Sequence, residues 1–235
     1  MSFLKAEWRR LALANYVVEP RLLAPFVPYH TKLDQWQGKT YVSLVGFLFK
    51  NTRMLGLKIP FHVNFEEVNL RFYVKYKDQE EWKRGVVFIK EIVPKPALTF
   101  VANTLYREHY QTRPMRHEWQ THSDHLLTHY EWKDGGQWQS FQVASEKEGL
   151  DIPIGSKAEF ITEHYWGYTR IKPEVTYEYQ VTHPRWQCYP VTDYQIEVDF
   201  AQVYGKHFTL LNELSPQSVM LAEGSEITVE TKRKL

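Results

Sequence analysis

Along much of the chain, apolar and polar residues alternate with a period of two, the signature of strands with two different faces. The clearest run is FEEVNLRFYVKY, where Val68, Leu70, Phe72 and Val74 share one face and Glu67, Asn69, Arg71 and Tyr73 the other. RGVVFIKEIVP follows it after the charged turn YKDQEEWKRG, so the two predict an antiparallel hairpin. Tyr41 to Lys50 predicts another strand, and a second hairpin turns around Asp134-Gly135-Gly136. Further strands are expected near 175–182, 195–204 and 226–232.

Helical spacing is rarer. Leu98, Val101, Ala102 and Leu105, with Pro96 just ahead of them, predict one helix over about 97–109. Residues 4–16 read as a short amphipathic element. Prolines confine 17–28 to a short helix, and brief helical segments are expected near 156–163 and 196–203. There is no internal repeat and no linker rich in Gly, Ser or Pro, so residues 1–235 read as one domain, mainly β (α+β), with a closed or nearly closed sheet and few helices.

Composition narrows the function. Lys and Arg number 29 against 28 Asp and Glu, which leaves no net field to draw the chain to nucleic acid or to an anionic membrane. A small-molecule or protein partner is the expectation. Cys188 is the only cysteine, so no internal disulfide forms. No apolar run approaches the roughly 18 residues of a membrane span, and the charged N-terminus lacks a signal-peptide pattern, so a cytoplasmic location is expected. With 15 Tyr, 13 Phe and 8 Trp, the chain is rich in side chains that build strands and pocket walls.

Candidate chemistry concentrates on the first hairpin. Glu67, Asn69 and Arg71 at i, i+2 and i+4 span roughly 13 Å along one strand face. Facing an interior they would line a pocket, with Arg71 suited to grip a carboxylate. Facing solvent they would be surface residues over a core of Val68, Leu70, Phe72 and Val74. In VVFIKEIVPK, Lys90 and Glu91 interrupt six apolar residues, so one of them points where apolar neighbours point. A buried lysine there would titrate low and could serve as a nucleophile, whereas a surface Lys90, or one paired with Glu67, would be structural. His117, His122, His125 and His129 match no common zinc spacing, so no metal is expected. No GxGxxG or P-loop is present, and no cofactor is expected. EHYWGY and the HPRW of 183–186 supply aromatics for either a pocket wall or a core.

The phrases AEWRRLALANYVVEPRLLAPFVP, LDQWQGKTYVSLVGF, GLKIPFHVNFEEVNLRFYV, RGVVFIKEIVPK, ITEHYWGY, the HPRW of 183–186 and PQSVMLAEGSEITV together resemble the YqjF-like family, domain of unknown function 2071. The resemblance implies an acetoacetate decarboxylase-like fold, a cone-shaped antiparallel β-barrel enclosing a small cavity, and makes a homo-oligomer plausible. It also favours a cavity-facing Glu67. Acetoacetate decarboxylases form a Schiff base through a lysine just after a Gly-Phe-Pro turn, with a second lysine beside it. The corresponding stretch here, HYQTRPMRHEW, has Arg113, Met115 and Arg116 but no lysine, and arginine cannot form an imine. Tyr106, Tyr110, Arg113 and His117 lie where that turn would be and join Glu67, Asn69 and Arg71 as candidate ligand contacts; Glu67 and Lys90 are the catalytic candidates. Three functions are expected in this order: a protein that binds an organic acid or carbonyl compound in its cavity; a lyase- or hydrolase-type enzyme on such a compound; and an interaction protein whose barrel is packed shut.

Overall fold

The computed structural model describes residues 2–235, apart from the side chains of Leu105 and Tyr106. Its frame is a ring of seven strands: β1 (Leu4–Val18), β2 (Thr40–Met54), β3 (Phe65–Asp78), β4 (Glu81–Val93), β5 (Trp166–Lys172), β6 (Val175–Thr182) and β7 (Ser218–Val229). Around the ring the order is β7, β1, β2, β3, β4, β5 and β6, and Val181 and Thr182 of β6 pair back onto Val229 and Thr228 of β7 to close it. Every neighbouring pair is antiparallel except β4 and β5, which run parallel through Trp166 opposite Gly85 and Gly167 opposite Val86.

Both faces of β1, β2 and β3 are covered, so that even Glu67, Asn69 and Arg71, the polar positions alternating along β3, are buried. On the outside, Ala12, Ala14, Tyr16, Val42, Leu44, Val68, Leu70, Phe72 and Val74 form one apolar cluster with Tyr130, Trp132, Phe141 and Val143. Those last four belong to a separate four-stranded sheet made of Met115–Thr121, Leu126–Asp134, Gln137–Ser145 and Val191–Glu197. The two sheets approach closely because Gly46 has no side chain; a Cβ there would sit 2.9 Å from the Tyr130 ring. The helix Phe200–Tyr204 completes the outer layer, and each fully buried Leu or Phe in it contributes roughly 1.5–3 kcal/mol. On the inside, Leu13, Tyr41, Val45, Phe47, Phe65 and Tyr73 form a second cluster with Phe160 and Trp186.

Several boundaries differ from the expected ones. Residues 4–16 are part of strand β1, whose two buried faces mimic an amphipathic pattern. The helix expected over 97–109 ends sooner: Pro96–Val101 is α-helical and Ala102–Tyr106 is a π-turn, closed by Arg107 in the left-handed region (φ 59°). That stop turns the chain so that Glu108 and Tyr110 enter the ring. The strand expected over 195–204 divides into Val191–Glu197 and the helix Phe200–Tyr204, whose first turn is capped by the Asp199 side chain accepting from the Gln202 N–H at 3.1 Å. The last ring strand starts at Ser218 rather than near 226. Both hairpins and the short helix at Pro20–Leu23 lie where the pattern placed them.

Candidate functional site

The ring encloses a cavity of about 130 Å³. Its wall divides by strand. β1, β2 and β7 contribute Trp8, Leu11, Phe47, Phe49 and Val229, whereas β3, β4, β5 and β6 contribute Glu67, Asn69, Arg71, Glu91 and Tyr179 beside Phe88, Trp166 and Gly167. Glu108 and Tyr110 complete the polar side, and Leu98 and Val101 of the Pro96–Val101 helix line the apolar side.

Alternation on β3 sends Glu67, Asn69 and Arg71 inward, with exposures of 2%, 1% and 7%. The pairing to β4 contains a bulge: Arg71 faces Phe88, Leu70 faces Lys90 and Asn69 faces Glu91, so Ile89 and Lys90 together span the place of one residue. The bulge brings both Phe88 and Glu91 to the cavity and answers which of the adjacent Lys90 and Glu91 turns inward. Lys90 points to the other side, where its Nζ donates to the Val203 carbonyl of the outer layer. Among the described residues that line the cavity there is no lysine.

Two phenols tie three carboxyl groups together. Tyr110 Oη donates to Glu67 Oε2 at 3.1 Å and lies in hydrogen-bond range of Glu91. Asn69 Nδ2 donates to Glu67 Oε1 at 2.9 Å. Glu108 accepts from Thr169 Oγ1 at 2.5 Å and bonds Tyr179, whose ring lies across Gly167 so closely that a Cβ there would be 2.2 Å from it. Burial pushes Glu67 and Glu108 up to about 7, and burial with the charges of Glu108 and Glu67 raises Glu91 well above the carboxylate range. The same burial, with Glu67 and Glu91 alongside, holds the Tyr110 hydroxyl protonated.

Six buried polar atoms in this wall have no hydrogen-bond partner among the described residues: Trp8 Nε1, Asn69 Oδ1, Arg71 Nε, Glu91 Oε2 and both ring nitrogens of His164. Arg71 makes no ion pair among them either; its guanidinium lies 5.9 Å from the centre of the Tyr73 ring, at cation–π range. His164 adds a neutral imidazole to the wall, since burial lowers its pKa to about 4; Asp34 stands 3.6 Å behind it, held by Arg84 at 2.6 Å and Lys75 at 3.0 Å.

The candidate residues are thus separated. Glu67, Asn69, Arg71 and Tyr110 converge on the cavity. Arg113 does not; its Nε donates to Asp134 Oδ1 at 2.5 Å and ties the chain to the outer sheet. His117 is likewise outside the cavity, with Nδ1 2.6 Å from Glu66 Oε1, because the outer sheet begins at Met115 and carries it away. Tyr106 lies outside the described side chains. His122 and His125 stack on each other at 4.3 Å beside the turn of that sheet's first hairpin. EHYWGY lends His164, Trp166 and Gly167 to the cavity wall, whereas Trp186 of HPRW packs in the inner core against Trp8 at 6.4 Å. Glu91, Glu108, Tyr179 and His164 were not among the expected site residues. Glu91 carried a signal, as a charge inside an apolar strand, Glu108 stands two residues before Tyr110 at the end of the expected helix, and His164 lies within EHYWGY; Tyr179 is brought in by a chain crossing that no local pattern announces.

This fold is that of acetoacetate decarboxylase and its relatives. The structure matches that of acetoacetate decarboxylase from Legionella pneumophila with a TM-score of 0.65, at 11% identity, over 98% of this chain and 86% of that one. It matches the enduracididine biosynthesis enzyme MppR complexed with pyruvate with a TM-score of 0.68, at 10% identity, over 100% of this chain and 91% of that one. In sequence, the chain belongs to the family of uncharacterized conserved proteins called DUF2071, whose pattern matches residues 5–226. Within reach of it is the uncharacterized protein YqjF of Bacillus subtilis, 25% identical over 220 residues, which are 91% of this chain and 85% of that protein.

Proposed function

We propose that the ring cavity binds a small organic acid or carbonyl compound without covalent attachment, its carboxylate held by Arg71. The observation that carries this reading is a guanidinium 7% exposed on the cavity wall with no carboxylate paired to it. A buried charge left unpaired costs several kcal/mol, and a bound carboxylate offering two parallel hydrogen bonds would offset that cost. Pyruvate, a small oxo acid, is bound by MppR on the same fold. The aromatic wall from β1 and β2 would cover the apolar end of the ligand. A cavity of about 130 Å³ argues against a ring packed shut by its own side chains.

The reading is tested by titrating pyruvate, acetoacetate and longer organic acids into the protein calorimetrically. Binding by the unaltered protein and its loss in Arg71→Met are expected; equal affinity in the two proteins would refute the anchor. A second reading, acid–base catalysis on the bound compound, is favoured by Glu67, which burial holds near neutrality beside the Tyr110 phenol. It predicts exchange of the ligand's α-protons with deuterated solvent, followed by NMR, and loss of that exchange in Glu67→Gln.

A further inference from the structure

The unpartnered polar atoms of the cavity describe more of its ligand than a carboxylate. Trp8 Nε1 and Arg71 Nε are unmet donors, Asn69 Oδ1 is an unmet acceptor, and so is Glu91 Oε2 once its carboxyl is ionised; Asn69, Arg71 and Glu91 are more than nine-tenths buried. A ligand that satisfies them must bring acceptor atoms to Arg71 and N–H or O–H donors to Asn69 and Glu91. The acceptors lie in the part of the wall where Glu67 and Glu108 also stand, so donors placed there meet three carboxyl groups.

A carbonyl oxygen complements that arrangement poorly. It is an acceptor only, so it uses the proton of one carboxylic acid and leaves Asn69 Oδ1 unmet. A protonated amine has three donors and a positive charge; among the described lining residues Arg71 is the one charged cation, and Lys232 acts on Glu108 from outside the lining. Three carboxyl groups cannot all ionise beside one guanidinium in a buried site; with the ligand's own carboxylate on Arg71, an incoming ammonium group lets one of the three ionise. We infer that the ligand is a zwitterion of the amino-acid class, with its carboxylate on Arg71 and its protonated nitrogen among Glu91, Asn69 and Glu67, and that its apolar side chain packs on the Phe47 and Phe49 side. This rests on the carboxylate-binding reading above and adds the nitrogen to it.

The test is a calorimetric series with the unaltered protein, using alanine, leucine and phenylalanine, each beside its 2-oxo acid and its deaminated acid. For at least one side chain the amino acid should bind tenfold or more tightly than both companions. Its binding should release protons and tighten between pH 6.5 and 8, because the carboxyl groups must ionise to accept the nitrogen. Glu91→Gln should reduce the amino acid's advantage over the deaminated acid at least threefold. An oxo or deaminated acid that binds as tightly as its amino acid overturns the nitrogen and leaves the Arg71 anchor standing. If no member of any series binds, or if Arg71→Met binds all of them unchanged, the anchor itself fails and the inference falls with it.

Discussion

The two faces of strand β3 are equally buried yet built on opposite plans. Outward, Val68, Leu70, Phe72 and Val74 have zero exposure and pack on the second sheet, with no polar atom to satisfy. Inward, Glu67, Asn69 and Arg71 are nearly as deep, but they leave two polar atoms unmet and share a cavity with two further carboxyl groups. One face therefore supplies stability, and the other spends some of it to keep polar groups unpaired on the cavity wall, the groups to which the proposed function assigns a ligand. The bulge in β4 serves both faces at once, placing Lys90 on the outside and Glu91 on the inside.

That contrast can be broken most severely from outside. Phe72→Ala should cost about 3–5 kcal/mol in urea unfolding, by leaving a cavity between the sheets. The fraction still folded should keep the wild-type ligand affinity; a matching loss of affinity would mean that the two faces are not independent.

Arg71→Met should do the reverse. It should weaken carboxylate binding roughly 10- to 100-fold, as expected for the loss of a charged hydrogen bond worth about 1.5–3 kcal/mol. Removing an unpaired buried charge should leave stability unchanged or higher, and strong destabilisation would show that Arg71 is instead a structural partner.

The acid cluster makes stability depend on pH. Glu67 and Glu108 have folded values near 7, above the ordinary 4.5, so the stability tied to their protonated forms is fully present below 4.5 and is lost as pH rises through about 7. His164, lowered from 6.5 to about 4, acts in the opposite sense but only below 6.5. Between pH 6.5 and about 8 the carboxyl effect stands alone. The melting temperature should therefore fall over that range, and Glu91→Gln, which mimics the protonated acid, should raise it more at pH 8 than at pH 5. A stabilisation equal at both values would show that Glu91 is uncharged throughout.

The smallest effect is expected at Lys90. Lys90→Met should change stability by about 1 kcal/mol or less, the loss of one partly buried hydrogen bond, and should leave ligand affinity unaltered. Incubation with pyruvate and borohydride should add no mass to the protein; a lysine adduct would show that some lysine reaches the ligand after all.

How much of this was legible in the sequence differs between the faces. The period-two pattern identified β3 and its hairpin partner, and it identified Glu67, Asn69 and Arg71 as one face, because side-chain direction along a strand is a local property. It could not say whether that face met solvent or an interior, since alternation is the same in both cases. The bulge that separates Lys90 from Glu91 depends on pairing with β3 and leaves no mark in VVFIKEIV beyond the intrusion of two charges. Arg113 and His117 were drawn toward the site because they lie where the resemblance puts the decarboxylase turn, yet five residues after Tyr110 the chain enters another sheet. Glu108 and Tyr179 needed two chain crossings to meet.

By itself, then, the sequence determined the strand-rich class, the family phrases, the two-faced character of β3 and the absence of a lysine from HYQTRPMRHEW. Each of these is set by residue identity and short-range spacing. Only the tertiary structure decided that the ring closes through β6 and β7, that the polar face looks inward, and that three carboxyl groups, two phenols and one unpaired guanidinium share a space of about 130 Å³. Those outcomes depend on contacts between residues far apart in the chain, and burial, which sets the protonation of the groups involved, exists only once the ring has closed.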